Sequence, residues 1–247
     1  MTTLVGIEIE CEDVPSVIKV PEWKVTEDGS LRDGIEYVLA KPLAGDDLKA
    51  ALDKLCGKFT TEKFSQRCST HIHIDVRGMT HTQMFNFITL YVMFERVILS
   101  LVNEMRVGNL FCLPVFDSVA TEEVLGQLAN KELSFNDLDL DEWKYAGMNL
   151  ASVRKLGSLE FRSLHGTANA EEILNWVNVH IKLKEYAMTE GLTPDNIILD
   201  SSISTHAGLF TKVMGEYTAQ FGTLGLHKDI EAGVRIAQYF AFTGDWE

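Results

Sequence analysis

Positive charge is scarce in this sequence: 22 Lys and Arg stand against 36 Asp and Glu, a formal charge of -14 at pH 7. A surface of that sign repels nucleic-acid phosphates and anionic lipid, so neither nucleic acid nor membrane is an expected partner. Only four cysteines occur, Cys11, Cys56, Cys68 and Cys112, with no CxxC pair among them. The expectation is free thiols in a reducing, cytoplasmic compartment rather than a thiolate-zinc or dithiol redox site. Met1-Thr2-Thr3-Leu4 carries no basic n-region or cleavage site, so no secretory leader is expected. No apolar run is uninterrupted either. Met84 to Val102 is broken by Asn86, Thr89, Glu95, Arg96 and Ser100, which marks a buried helix rather than a membrane span. With no internal repeat, low-complexity tract or Pro/Gly/Ser-rich linker, residues 1–247 are expected to form a single domain, with a helical elaboration from about residue 190 to 247.

What is present is ordinary globular material, 46% hydrophobic and 23% charged, enough for a sizeable core. Leu4 to Glu12 alternates, with Val5, Ile7, Ile9 and Cys11 on one side and Gly6, Glu8 and Glu10 on the other; period two predicts a half-buried strand. Trp23 to Thr26 and Ile35 to Leu39 predict two more, separated by a turn over Glu27-Asp28-Gly29-Ser30. Thr70 to Arg77 alternates again, placing His71, His73 and Asp75 opposite Ile72, Ile74 and Val76. Met148 to Val153 and Ser158 to Ser163 are expected to pair as a hairpin across Arg154 to Gly157. Helices are expected over Leu48 to Leu55 with Asp46 or Asp47 as N-cap, from a Thr80 cap to about Val102, and near Thr121 to Asn130. Three more are expected over Ala170 to Thr189, Thr205 to Phe221 and His227 to Phe242, and an acidic loop over Asp137 to Glu142. Strands without βαβ rhythm give an α+β class with an antiparallel sheet.

The polar faces of these strands carry the chemistry. Glu8 and Glu10 project together, as do His71, His73 and Asp75, and as do Glu160 and Arg162, while Glu36 interrupts an otherwise apolar strand. Taken singly, each is equally a solvated strand edge, a pair of hydrogen-bonded histidines or a cross-strand ion pair. Together they put metal-ligand types where Lys, Thr and Ser would normally be mixed in. Carboxylates crowded on one surface repel, a divalent cation is the usual remedy, and a carboxylate-rich set suits Mg²⁺ or Mn²⁺ better than zinc.

The ordered set Gly6-x-Glu8-x-Glu10, Asp28-Gly29-Ser30, Glu36, His71-x-His73 and Glu160-Phe161-Arg162 with Gly166-Thr167 resembles the amidoligases. These belong to the carboxylate-amine ligase superfamily with glutamine synthetase and glutamate-cysteine ligase. Arg106-x-x-Asn109 and Lys144-Tyr145-x-x-x-Asn149 add to the resemblance, which spans about Leu4 to Tyr186. One stretch departs from it: relatives follow the Glu36 position closely with Ser and Pro, where this chain runs Tyr37-Val38-Leu39-Ala40-Lys41-Pro42-Leu43.

The resemblance implies a glutamine synthetase-like funnel of antiparallel strands holding two or three Mg²⁺ (or Mn²⁺) ions, with ATP entering from one end. Glu8 and Glu10 would each hold a different ion, Glu36 joining Glu10, and His71 and Glu160 joining Glu8. His73 would lie near the ATP phosphates and Arg162 would meet the γ-phosphate. Arg106 would serve phosphate or a substrate carboxylate. Asp28 and Ser30 would border the substrate or amine, and Asn149 would support the pocket mouth. The implied activity joins a carboxylate of an amino acid or peptide to an amine through an acyl phosphate, with Asp28 or Asp75 taking the amine's proton. The segment Val107 to Ser118 is a candidate lid. A monomer or small homo-oligomer is expected. Two rivals stay open at this point: a metal-dependent hydrolase built on His71 and His73, and a non-catalytic nucleotide- or metal-binding module.

Overall fold

Alternating residues build one sheet. The computed structural model describes residues 2–246 apart from 15, 61, 140–142, 144, 200–204, 223 and 224. Within it lie the strands β1 Val5–Glu12, β2 Trp23–Glu27, β3 Gly34–Leu39, β4 Ser69–Asp75, β5 Met148–Asn149 and β6 Ser158–His165. They lie side by side in the order β2-β3-β1-β4-β6-β5, every pair antiparallel. Among the described residues there are eight α-helices: α1 Gly45–Cys56, α2 His81–Ile98, α3 Val119–Ala129, α4 Ser152–Leu156, α5 Ala170–Ala187, α6 Pro194–Leu199, α7 His206–Met214 and α8 Leu226–Ala241. The class is α+β, as the pattern of elements predicts.

One face of the sheet is largely apolar. Val5, Ile7, Ile9, Ile72, Ile74, Leu159 and Phe161 are buried on it, and α2 and α5 cover it. The Phe161 ring sits 4.7 Å from Tyr91 and 4.2 Å from His180. Every residue of α2 from Met84 to Glu95 is buried, with apolar side chains spread around the helix, while Arg96 near its end is exposed. Its start is fixed by a capping box between Thr80 and Gln83. On its far side a Cβ placed on Gly233 of α8 would fall 2.4 Å from the Met93 carbonyl, so only glycine allows this backbone approach. One continuous buried cluster runs from the sheet through α2 to α7 and α8.

Several boundaries differ from the sequence expectation. α1 begins at Gly45 with Ala44 as an N-cap lacking a side-chain bond; Asp46 and Asp47 fall in its first turn, where they still face the positive end of the helix dipole. The hairpin expected over Met148 to Ser163 has a two-residue first arm. Ser152–Leu156 coils into α4 instead, closed by Gly157 in the left-handed region at φ 68, a conformation that ends helical turns. α2 stops at Ile98 and continues as a 3₁₀ turn through Leu101. The helix expected over Thr205 to Phe221 breaks at Gly215, φ 53, into α7 and a 3₁₀ segment. α6 was not expected; six residues are too few to display a helical period. Lys144 and part of the Asp137 to Glu142 loop lie outside the described residues.

Candidate functional site

Strand pairing brings together residues that are up to 150 positions apart. On the sheet's polar face Glu10 stands opposite Glu36, Glu8 opposite His71, and His73 opposite Glu160; Asn149 is the partner of Glu160 on its other side. Gly6 lies opposite His73, and a Cβ there would meet His73 Cβ at 3.3 Å, so its lack of a side chain leaves the imidazole room. Between Thr70 and Ile72 the β4–β6 register slips by one residue. The bulge falls at Arg162 and Ser163, beside the cluster, where such irregularities re-aim side chains.

The side chains converge. His71 Nδ1 is 3.1 Å from Glu8 Oε2 and 3.6 Å from Glu160 Oε1, and His71 Nε2 is 3.6 Å from Glu10 Oε1. His73 Nε2 is 3.3 Å from Glu8 Oε1 yet makes no hydrogen bond of good geometry. Three groups offer ligand atoms within 4.8 Å of one another: Glu8, His73 and Glu160; Glu8, Glu36 and His71; and Glu10, Asp28 and Glu36. Glu10 and Glu36 thus share a group, as the resemblance implies, with Asp28 added. Glu8 and Glu160 share theirs with His73, and Glu8 and His71 share theirs with Glu36.

Neutral donors fix these carboxylates. Ser69 gives both its amide and its hydroxyl to Glu10 Oε2, each at 2.7 Å, and its hydroxyl also meets His71 Nε2 at 2.7 Å. Asn149 Nδ2 and Ser152 Oγ donate to Glu160 Oε2 at 2.8 and 2.7 Å, while Arg162 Nη1 donates to Glu160 Oε1. Ser158 Oγ holds His73 Nδ1 at 3.1 Å. The three serines carry no pattern in the sequence; only the pairing register reveals them.

Electrostatics divide the carboxylates. Burial and the neighbouring Glu8 carboxylate push Glu36 up to about 8. Burial also opposes ionisation of Glu8, but the hydrogen-bonded His71 imidazole and the nearby His73 imidazole outweigh it and hold that group well below the ordinary range. Glu160 is lowered too, because Arg162 and the two imidazoles overcome its burial. His73 is raised, its burial outweighed by Glu8 and Glu160. Burial and crowding thus push one carboxyl in the set toward its protonated form, the response of neighbouring acids that repel one another.

Two cavities flank the cluster. One, of about 540 Å³, is lined by Glu10, Asp28, Ser30, Arg67, Phe111, Tyr145 and Arg162 among others. The other, of about 360 Å³, has Glu8, His73 and Asp75 on one side with apolar Val38, Leu39, Pro42 and Leu156 and the cations Lys41 and Lys155. The stretch that departs from the relatives' pattern after Glu36 is a wall of this second cavity. Asp75 lies in it and is paired with Arg77, whereas Asp28 lies in the first. Arg106 lines neither: it is 3% exposed, donates from Nη2 to the Arg162 carbonyl at 2.8 Å, and leaves Nε and Nη1 without partners. Of the expected lid, Leu113 is bonded to Tyr145 and Gly147, and the part up to Phe111 lies at the rim with Leu110 75% exposed.

Fold and site together define an α+β protein with a carboxylate-imidazole cluster set between two cavities on one face of an antiparallel sheet. The family model described as "Putative amidoligase enzyme" matches residues 44–183, more than half of the chain, and the chain belongs to that amidoligase family, which places it among enzymes of ligase type. No curated protein matches the chain in sequence. The matched span holds His71, His73, Arg106, Asn149, Glu160 and Arg162; Glu8, Glu10, Asp28 and Glu36 precede it and reach the site through the pairing of β1 with β4 and β3.

Proposed function

We propose that this protein is an ATP-dependent ligase that forms an amide between a carboxylate, of an amino acid or peptide, and an amine. The observation that carries the reading is the convergence of Glu8, Glu10, Glu36, His71, His73, Glu160 and Arg162 between two separate cavities. Such a ligase needs one space for a nucleotide, another for the molecules being joined, and a charge-compensating centre between them. The cavity with an apolar wall and Lys41 and Lys155 suits the nucleotide; the cavity with Asp28, Ser30 and Arg162 suits acid and amine. On this reading the sheet is the counterpart of a glutamine synthetase catalytic funnel, and residues 1–247 act as one cytoplasmic catalytic unit, as a monomer or small homo-oligomer. Four buried free cysteines are consistent with that compartment.

Two or three Mg²⁺ or Mn²⁺ ions fit the donor set. Carboxylates outnumber imidazoles, burial and the Glu8 carboxylate push Glu36 up, and the buried His73 Nε2 has no hydrogen bond. Glu8, Glu10, Glu36, His71 and Glu160 would hold the ions, which when bound would neutralise charge on phosphate oxygens. The chain's own groups do the rest. A carboxylate oxygen of the acid attacks the γ-phosphorus of ATP, the bond from that phosphorus to the bridging oxygen breaks, and ADP leaves. Arg162 offsets the charge on the phosphoryl oxygens in flight. The amine nitrogen then attacks the acyl carbon, and the bond from that carbon to the phosphate oxygen breaks. Inorganic phosphate departs with the electron pair, and Asp28 accepts the surplus proton. A zinc hydrolase built on both histidines fares worse, because among the described residues each three-ligand group contains a single imidazole.

ADP release in Mg²⁺-ATP, measured across a panel of amino acids and peptides, tests the proposal. Glu8→Ala and Arg162→Ala are expected to abolish turnover while leaving the circular dichroism spectrum unchanged. Near-normal turnover in Arg162→Ala removes the phosphoryl role from that residue, and no ADP with any acid and amine pair leaves a binding module.

A further inference from the structure

The rim of the 540 Å³ cavity carries an arginine, Arg67, that is bonded to backbone rather than to a carboxylate. Arg67, just before β4, donates from Nη1 to the Ser30 carbonyl at 2.9 Å. Gln66 beside it accepts from Asn109 Nδ2 at 3.4 Å, which ties in the loop that carries Phe111. Phe111 and Tyr145, 41% and 43% exposed, stand with ring centroids 5.8 Å apart and complete the wall. Several other cations of this acidic chain are ion-paired, such as Arg77 with Asp75, Arg162 with Glu160 and Lys49 with Asp53. Arg67 has no carboxylate partner among the described residues, although it is exposed over a cavity.

Asp28 and Arg67 grip opposite ends of one residue. Asp28 Oδ1 accepts the Ser30 amide at 2.7 Å, and Arg67 holds the Ser30 carbonyl. The separation of the two charges is therefore set by the N–Cα–C=O length of a single residue. An α-amino acid separates its ammonium and carboxylate by that same unit. Beside this paired anion and cation lies an aromatic wall.

We infer that this rim recognises the amine substrate as a zwitterion, a free α-amino acid with an apolar or aromatic side chain. Its carboxylate binds Arg67, its ammonium faces Asp28, and its side chain rests on Phe111 and Tyr145. That orientation aims the nitrogen at the Arg162 side of the cavity and puts Asp28 beside the ammonium proton that must be lost before the nitrogen attacks the acyl carbon, the second N–H proton leaving with the inorganic phosphate. A second carboxylate of the acid substrate is a poorer occupant, since at Arg67 it would also face Asp28. Assigning the ligand as the amine rests on the ligase reading; its binding does not.

Calorimetric titration of the full chain, in Mg²⁺ with a non-hydrolysable ATP analogue, tests the site with four probes: L-phenylalanine, phenethylamine, 3-phenylpropionate and L-aspartate. L-Phenylalanine is expected to bind about tenfold or more tightly than the other three, the scale of one charge-assisted pair. Arg67→Gln is expected to lower L-phenylalanine affinity about tenfold while leaving phenethylamine, which also reports a folded variant, unchanged. The comparison of probes on the unmodified chain needs no variant at all. Absent L-phenylalanine binding, equal binding of L-phenylalanine and phenethylamine, or equal binding of L-aspartate overturns the inference. ADP release in a chain that ignores L-phenylalanine sinks this site and spares the ligase; Arg67-dependent binding in a chain that never hydrolyses or transfers from ATP does the reverse.

Discussion

Ser152 is of no ligand type, yet with Asn149 it determines how Glu160 is aimed. Both donate to Glu160 Oε2, leaving Oε1 to Arg162 and His71. A buried carboxylate held on one oxygen presents the other in a fixed direction, and groups that orient a ligand in this way are commonly worth ~10–100-fold in metal affinity. Ser152→Ala is expected to weaken Mn²⁺ binding by about tenfold, the low end of that range, because Asn149 remains. Glu160→Gln should weaken it further, and titration followed by electron paramagnetic resonance reads both. Unchanged affinity in Ser152→Ala would mean that Glu160 does not face an ion. The acids and histidines were legible in the sequence because period two sorts them onto one face. Ser69, Ser152 and Ser158 were not, since serine sits equally well anywhere on a strand or turn, and Arg67 was hidden because nothing local distinguishes a loop arginine that has no partner.

At the scale of elements, α2 does more than cover the sheet. Glu95 on its buried side accepts the amides of Val115 and Phe116 at 3.0 and 3.4 Å and so anchors the far end of the loop that carries Phe111. Burial pushes the Glu95 carboxyl from 4.5 up to about 7, against the pull of those amides. Between these values the folded chain binds more protons than the unfolded chain, so the Glu95 contribution to stability is complete below about 4.5 and is lost as pH rises through about 7. The loss is of order 3 kcal/mol. Glu36, raised to about 8, acts in the same direction; Glu8 and Glu160, lowered, contribute stability that is already in place above 4.5. Urea midpoints at pH 5 and pH 8 should therefore fall with pH in the natural chain and fall less in Glu95→Gln, which keeps an acceptor for one amide. Equal falls in the two would assign the dependence elsewhere. The sequence announced α2 through its apolar run and the Thr80–Gln83 cap, and announced β1 and β4 by alternation. It placed Met148 and Asn149 in a strand paired with Ser158 to Ser163, as they are, but misjudged Ser152 and Val153 because Leu150 and Val153 have strand character while the deciding residue, Gly157, acts from beyond the segment by closing a helical turn.

Across the whole molecule the site exists only when the chain is folded. The family match begins at residue 44, yet Glu8, Glu10 and Glu36 come from β1 and β3, and it is the sheet that sets them against His71 and Glu160. In the unfolded chain those groups are far apart and bind divalent ions weakly, so ions that join them must stabilise the fold by mass action, about 2.7 kcal/mol at a hundred times the dissociation constant. A net charge of -14 also means that any salt relieves general repulsion, and the two effects have to be separated. Thermal unfolding in Mn²⁺ or Mg²⁺ should give a higher midpoint than in NaCl of matched ionic strength. In Glu8→Gln the NaCl increment should persist and the extra divalent increment should disappear, because Glu8 belongs to two of the three ligand groups. If NaCl reproduces the whole rise in the natural chain, the acids on this face are screened rather than bridged, and the ions lose their place in the proposed reaction.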